Sequence, residues 1–340
     1  MANIMITDTC NLACPYCFAN EFVNKQRNEI EREVFDEAVR FILGDGSHKS
    51  VGIIGGEPTL HSKFDELMRS LILNEEVQKI MLYTNGLLID QHWNVCTHPK
   101  THMLINCNPE SIIGHSNYER LCRNLDVLFV EKMSFDRVTL GINMFRPEFE
   151  YAYILEMLKK YNIHKLRVSI TVPDKSILKA TSPFDYFLSM KQRVLKFFDE
   201  LLQNEIVPHF DCNKIPYCLI TKEEMDSFSR YLDNPKIRDR FNESNLSNNR
   251  VMCLPVIDIR QDLTAVRCFG LSDATKTSIR NFRCITDLEK YYFREIDSFA
   301  INIPHSKKCA GCYENKTVNC YGGCLAFKIQ MINRIKRKKI

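Results

Sequence analysis

Tryptophan is all but missing from these 340 residues, and so is any strong imbalance of charge. The net charge of +4 is spread over 46 basic and 42 acidic side chains, too mild to call for a nucleic-acid or membrane partner. No window approaches the ~18 apolar residues of a helical membrane span. No signal peptide opens the chain: Met1 to Thr7 is apolar but short, and runs into cysteines where a cleavage site would have to stand. Internal repeats and low-complexity tracts are absent too. The lone tryptophan, Trp93, falls in an irregular stretch and reads as packing. What survives these exclusions is a cytoplasmic globular protein whose thiols stay reduced. With 45% hydrophobic and 26% charged residues it can bury a full core. Its length suits one large domain and a smaller one. Only the tail is locally basic, where Arg334, Lys336, Arg337, Lys338 and Lys339 suit a solvated helix C-terminus.

Cysteine is what the chain does have: fifteen of them, which in a reducing compartment point to metal rather than disulfides. Three crowd the stretch TDTCNLACPYCFAN, as Cys10, Cys14 and Cys17. Three thiolates in one short loop suit a metal site that keeps a coordination position open. A structural zinc site would want a fourth ligand, and none is nearby; His48 and Cys96 are distant in sequence. An iron–sulfur cube held by three cysteines instead leaves one iron free for a substrate or cofactor.

Short apolar runs alternate with amphipathic stretches through the first two-thirds of the chain. Strands are expected at Ile4–Thr7, Val51–Gly55, Lys79–Thr84, Met103–Asn106, Val138–Asn143 and Leu166–Val172. Helices are expected at Ile30–Leu43, Phe64–Leu73, Tyr118–Val130, Phe149–Tyr161 and Phe184–Leu202, the first stopped by Gly44-Asp45-Gly46. Six strands with helical crossovers make an α/β fold with a parallel sheet, doubly wound or curled as part of a barrel. Chemistry then gathers at the carboxyl ends of the strands. There lie the cysteine loop after strand one, Gly55-Gly56-Glu57-Pro58 after strand two, and Thr84-Asn85-Gly86 after strand three. Asn106 and Asn108 close strand four, and Asn143 closes strand five.

Cys10-x3-Cys14-x2-Cys17 with Tyr16 before the last cysteine, followed by Gly55–Pro58 and Thr84–Gly86 in that order, resembles the radical S-adenosylmethionine (radical SAM) enzymes. The resemblance covers most of Met1 to about Pro208 and implies a partial (β/α)6 TIM-like barrel. It implies a [4Fe-4S] cluster on Cys10, Cys14 and Cys17, whose open iron is chelated by the cofactor S-adenosyl-L-methionine. Tyr16 and Phe18 would face its adenine. Gly55 and Gly56 would admit its methionine part, Glu57 would accept from its ammonium, and Pro58 would fix the turn. Asn106, Asn108 and Asn143 are candidates for its ribose or carboxylate, and Arg167 for its carboxylate or an ordinary ion pair. No acid–base set is required, and the sequence offers none.

A second cysteine field follows. Residues 205–325 hold nine of the fifteen, including Cys253, Cys268 and the run Cys309-x2-Cys312-x7-Cys320-x3-Cys324, with Gly322-Gly323 before the last thiol. This order resembles the SPASM and twitch extensions of the same family, which carry one or two auxiliary iron–sulfur clusters. It departs from them in a longer central gap, in Leu263 where a glycine is usual, and in having no cysteine after Cys324. One reading groups Cys253, Cys268 and Cys324 with one more thiol, and Cys309, Cys312 and Cys320 with another, from Cys212, Cys218 and Cys284. A second puts Cys309, Cys312, Cys320 and Cys324 around one cluster or a zinc ion. Cys96, Cys107 and Cys122 read as buried or partly buried free thiols that behave as small hydrophobes. The resulting division is a core over 1–208, a connecting segment over 209–252, and a cysteine-rich domain with its basic tail over 253–340.

The resemblance implies an enzyme that modifies a peptide or protein side chain, supplied with electrons by a carrier such as flavodoxin or ferredoxin. Many relatives of that kind carry an N-terminal peptide-binding domain, which is not expected here with Cys10 so near Met1. Oxidation of a small molecule or activation of a partner protein is the alternative reading. A non-catalytic zinc-ribbon protein is a third, which would leave Gly55–Pro58 without a role.

Overall fold

The computed structural model describes residues 2–17, 19–171, 181–212, 215–243, 253, 256–271, 275–298, 309, 311–313, 320 and 324–326. Phe18, Gly322, Gly323 and the basic residues Arg334, Lys336, Arg337, Lys338 and Lys339 lie outside them. The chain forms two compact units, Met1–Thr139 with Pro255–Ile296, and Leu140–Leu254 with Asp297–Ile340. Among the described residues no helix is long and apolar enough to cross a membrane.

In the first unit β1 (Ala2–Met5), β2 (Ser50–Ile54), β3 (Lys79–Thr84) and β4 (Thr101–Asn106) run parallel in that order. All four residues of β1 are buried, as a parallel strand covered on both faces requires. The helix Arg32–Leu43 turns Phe35, Ala38, Val39, Ile42 and Leu43 inward, an apolar stripe at helical spacing, and Phe64–Leu73 does the same with Phe64, Leu67, Met68 and Leu71. His115–Asp126 runs on through a π-type turn, Val127–Glu131.

The second unit opens on β5 (Val138–Met144), which begins at the boundary between the units, with β6 (Lys165–Ile170) and β7 (Val207–Cys212) parallel to it in sequence. The helix Pro183–Gln203 buries Tyr186, Phe187, Met190, Val194, Phe197 and Leu201. A capping box of Thr221 and Glu224 starts the helix Lys222–Ser229, and the polar stretch after Asp233 forms the short helix Pro235–Glu243.

All six expected strands are present, Lys79–Thr84 with the expected ends and the others with ends within two residues of them. Three further strands come from the segment expected to be cysteine-rich: β8 (Ile257–Ile259), β9 (Thr264–Val266) and β10 (Thr277–Ser278). They extend the sheet of the first unit, β8 parallel to β1, then β9 and β10 antiparallel.

Candidate cluster and cofactor site

Beyond the end of β1 the backbone stays tied to the exit of β2. Ile6 N–H donates to the Ile54 carbonyl (2.9 Å), Gly56 N–H to Thr7 (2.8 Å) and Glu57 N–H to Thr9 (2.8 Å). The approach is so close that a Cβ on Gly56 would stand 2.4 Å from the Thr9 carbonyl oxygen, and one on Gly55 2.7 Å from that of Thr7. The room these glycines make is taken by the chain's own backbone, which leads into Cys10. Pro58 opens a buried single turn, Pro58–Leu60, for which Glu57 is the N-cap.

Glu57 itself is 1% exposed. Its Oε1 accepts from Thr59 N–H (3.2 Å), the Thr59 hydroxyl (2.6 Å) and the Thr84 hydroxyl (2.7 Å), and its Oε2 from Asn85 N–H (2.7 Å). Burial raises its pKa, and these four bonds pull the other way. The carboxylate therefore clasps the exit of β3 to that of β2, and only Oε2 keeps acceptor capacity for an ammonium. From the same turn Asn85 Nδ2 reaches Asn11 Oδ1 inside the cysteine loop (2.8 Å). One polar network joins the ends of three strands.

The loop is further braced by Asn24, whose Oδ1 accepts from Cys10 N–H (2.9 Å) and whose Nδ2 donates to the Cys10 carbonyl (3.1 Å). Asn24 adopts φ +57°, a left-handed conformation that asparagine tolerates. Cys17 N–H closes a turn onto Cys14 (3.1 Å). Cys10 and Cys17 pack on Met5, Ala19, Val23, Ile54, Val266 and Phe269. Burial pushes the Cys10 thiol up to about 12, and the charges of Glu57, Cys14 and Cys17 add to the rise. Burial takes Cys14 to about 11 against a bond from Tyr16, and also raises Cys17. Three half-buried thiols, of which Cys14 and Cys17 add to the rise at Cys10, are a donor set that fits an incoming cation, which would displace their protons. Among the described residues no three His, Cys, Asp or Glu side chains converge tightly enough for a single metal ion; a cube spreads its ligands over separate corners.

Tyr16 donates to Asn108 Oδ1 in a short hydrogen bond, and Asn108 Nδ2 donates to the Asn106 carbonyl (3.4 Å). Asn108, 3% exposed, is thus linked to the cysteine loop through Tyr16. In the second unit Arg167 Nη1 donates to Asn143 Oδ1 (2.7 Å), joining two of the expected residues to each other. His48 faces Glu289 (3.2 Å), and Cys96 is wholly buried with its pKa raised by that burial. Asn11, Asn24 and Thr59 went unread in the sequence; an asparagine at positive φ is a signal only once the backbone is known.

Of the second cysteine set, Cys253, Cys309, Cys312, Cys320 and Cys324 belong to the second unit and Cys268 to the first. Cys284 stands at the N-cap position of the helix Ile285–Tyr292 without a side-chain capping bond, near the Asp45 carboxylate, whose pKa is lowered chiefly by Ser47.

The Radical SAM superfamily profile matches residues 4–99, the stretch that holds Cys10, Cys14, Cys17 and Gly55–Pro58. GTP 3',8-cyclase of Staphylococcus saprophyticus is 38% identical over 96 residues, which are 26% of this chain and 28% of the cyclase. The Staphylococcus aureus cyclase is 34% identical over the same shares. The chain thus spans little more than a quarter of these relatives. Among solved structures, SuiB of Streptococcus suis bound to S-adenosylmethionine superposes with a TM-score of 0.62 at 16% identity, covering 96% of this chain and 72% of SuiB. SuiB bound to precursor peptide SuiA gives 0.59 at 15%, covering 96% and 71%. At that identity the likeness is one of fold, and it bears out the partial (β/α)6 barrel.

Proposed function

We propose that this chain, which matches the Radical SAM superfamily profile over residues 4–99, is a radical SAM enzyme that cleaves S-adenosyl-L-methionine reductively to modify a side chain of a peptide or protein. The observation that carries the reading is the joining of the cysteine loop to the exits of β2 and β3 through Gly56, Glu57 and Asn85. Cys10, Cys14 and Cys17 would hold a four-iron, four-sulfur cluster and leave its fourth iron to the cofactor. When bound, such a cluster and cofactor would supply one-electron reductive chemistry, in which the sulfonium's bond to C5′ is split with release of methionine and hydrogen can be taken from a substrate.

The chain's own residues do the rest. Thr84, Asn85 and Thr59 hold the Glu57 carboxylate still, so that its free Oε2 position is aimed rather than mobile. Tyr16 steadies the loop against Asn108. The apolar bed under Cys10 and Cys17 keeps water from that side of the site. Residues 1–208 act as the core and 253–340 hold at least one auxiliary iron–sulfur cluster, with a flavodoxin- or ferredoxin-type protein as electron donor.

A peptide substrate is favoured because the likeness to SuiB, which was solved with its precursor peptide, extends over 96% of the chain. The likeness to the cyclases ends after 96 residues. The test is anaerobic reconstitution with iron and sulfide, followed by assay of 5′-deoxyadenosine with dithionite and S-adenosylmethionine. Wild type is expected to form it, more of it with a peptide encoded beside this gene than with GTP, and the Cys10/Cys14/Cys17→Ala variant none. Undiminished cleavage in that variant would remove the site assignment; stimulation by GTP alone would remove the peptide.

A further inference from the structure

Arg260 lies outside every cysteine pattern, yet the fold brings it against the loop that carries Cys10, Cys14 and Cys17. Strand β8 runs beside β1 in the register Asn3↔Asp258 and Ile4↔Ile259, so the next step sets Arg260 level with Met5, one of the residues on which Cys10 and Cys17 pack. The guanidinium of Arg260 lies over the ring of Phe22, 4.2 Å from its centroid. Phe269 meets the same ring at 5.6 Å and 55°. Phe22 packs on the bed shared with Cys10 and Cys17, and the chain leading to it is tightly wound. Asn20 N–H donates to the Cys17 carbonyl (3.2 Å), and Phe22 N–H and Val23 N–H donate to that of Ala19 (2.8 and 3.0 Å). We propose that Arg260 and Phe269 are positioning residues for the N-terminal cluster, a clamp from the C-terminal return that closes on Phe22 and keeps Cys10 and Cys17 in place.

The clamp is stiff where it needs to be. Arg260 is held at the mouth of the β8–β9 hairpin, its N–H on the Thr264 carbonyl (2.8 Å) and its own carbonyl accepting from Leu263 N–H (2.9 Å). Leu263 turns the hairpin at φ +59°, a left-handed conformation that is costly for leucine. Its side chain is buried, which offsets the strain and fixes the turn in one shape. The charge of Arg260 has few other claims on it. Its Nε is buried without a hydrogen-bond acceptor among the described residues, and the Asp262 carboxylate lies 3.9 Å from Nη1. A cation so placed is drawn to the face of the ring, and such a contact is stronger when desolvated than when exposed. Val266 and Phe269 complete the bed from β9 and from the single turn Phe269–Leu271 after it. Phe269 directly follows Cys268, so Arg260, eight residues upstream of that thiol, is the cleaner position to test.

The inference rests on the radical SAM reading for what the loop binds, and its test separates the two. In the iron-free chain, Arg260→Met keeps an apolar stem and removes the charge. It is expected to speed alkylation of Cys10 and Cys17 at fixed pH roughly fivefold, the weight of one such contact in a local opening. Cys96, wholly buried elsewhere in the first unit, is the control and should not change. Arg260→Lys keeps a cation for the ring and should restore most of the protection. Phe22→Leu removes the ring itself, so adding Arg260→Met to it should speed alkylation no further. Unchanged rates at Cys10 and Cys17, a parallel rise at Cys96, a lysine no better than methionine, or additive effects in the double variant would each overturn the clamp. In reconstituted protein the iron that Cys10/Cys14/Cys17→Ala removes should be held less firmly by Arg260→Met, with a changed electron paramagnetic resonance signal of the reduced cluster. Equal iron and an identical signal would mean that Arg260 does not position the cluster. Absence of that iron from unmutated protein would remove the radical SAM reading instead, and alkylation alone would then judge the contact.

Discussion

Glu57 was expected to reach outward for an ammonium, yet three of its four bonded acceptor positions lie on Oε1 and every donor comes from the protein. A buried carboxylate so engaged stabilises the fold before any cofactor arrives. Replacing it by glutamine sets an amide N–H2 against donors that need an acceptor, and an unsatisfied buried donor costs more than the lost bond. Glu57→Gln is therefore expected to destabilise the iron-free chain by about 2 kcal/mol, a typical figure for a bond to a charged group. Urea unfolding of iron-free wild type and variant makes the comparison. Identical midpoints would mean that Glu57 serves the cofactor only. The letter at position 57 was legible in the sequence, but its direction was not, because Thr84 and Asn85 come to it across a strand and a helix. Asn24 escaped notice for a similar reason: what fixes its role is a left-handed backbone, which composition does not reveal.

At the scale of elements, two strand exits lie so close that glycine is the only residue that fits between them. A methyl group at position 56 would meet backbone on every side: the Thr9 carbonyl carbon at 2.6 Å and oxygen at 2.4 Å, and the Asp8 oxygen at 2.9 Å. Backbone cannot rotate away as a side chain can, so Gly56→Ala must push the segment Asp8–Cys10 outward, at about 2 kcal/mol by analogy with overpacked cores. The displaced segment leads into the first ligand. Iron retained at the N-terminal site should fall accordingly, measured as the iron lost relative to wild type after gel filtration under nitrogen. Wild-type stability together with full iron in Gly56→Ala would mean that the close approach is not what the glycine serves. The elements themselves were largely readable, because β1 to β6, apart from the irregular connection between β3 and β4, are separated by helices with clear apolar stripes. The strands β8, β9 and β10 were not. At three, three and two residues they are too short to show a period, and β8 finds its partner at the opposite end of the chain.

For the whole molecule, that return of residues 255–296 to the first unit is the feature with the largest energetic consequence. Register sets Gly52, Asn3 and Asp258 side by side on β2, β1 and β8. Gly52 leaves the space, since a Cβ there would lie 1.9 Å from Asn3 Oδ1, and Asn3 Nδ2 donates to Asp258 Oδ1 at 2.8 Å. Burial lifts the Asp258 pKa to about 7, while the Asn3 bond and the charge of the buried Arg267 restrain the rise. In the unfolded chain the same carboxyl titrates near 3.9. Between about pH 4 and pH 7 the unfolded state gives up this proton and the folded state keeps it, so stability from this group is complete below pH 4 and drains away as pH rises toward 7. The loss is on the order of 4 kcal/mol. Asp258→Asn keeps an amide oxygen for Asn3 and removes the titration. Against wild type it should be near neutral at pH 4 and increasingly stabilising toward pH 7, read from denaturant midpoints across that range. A variant that grows less stable than wild type over the same interval would mean that Asp258 is an anion bound to Arg267, and that the C-terminal return is held by charge instead of by a shared proton and an amide.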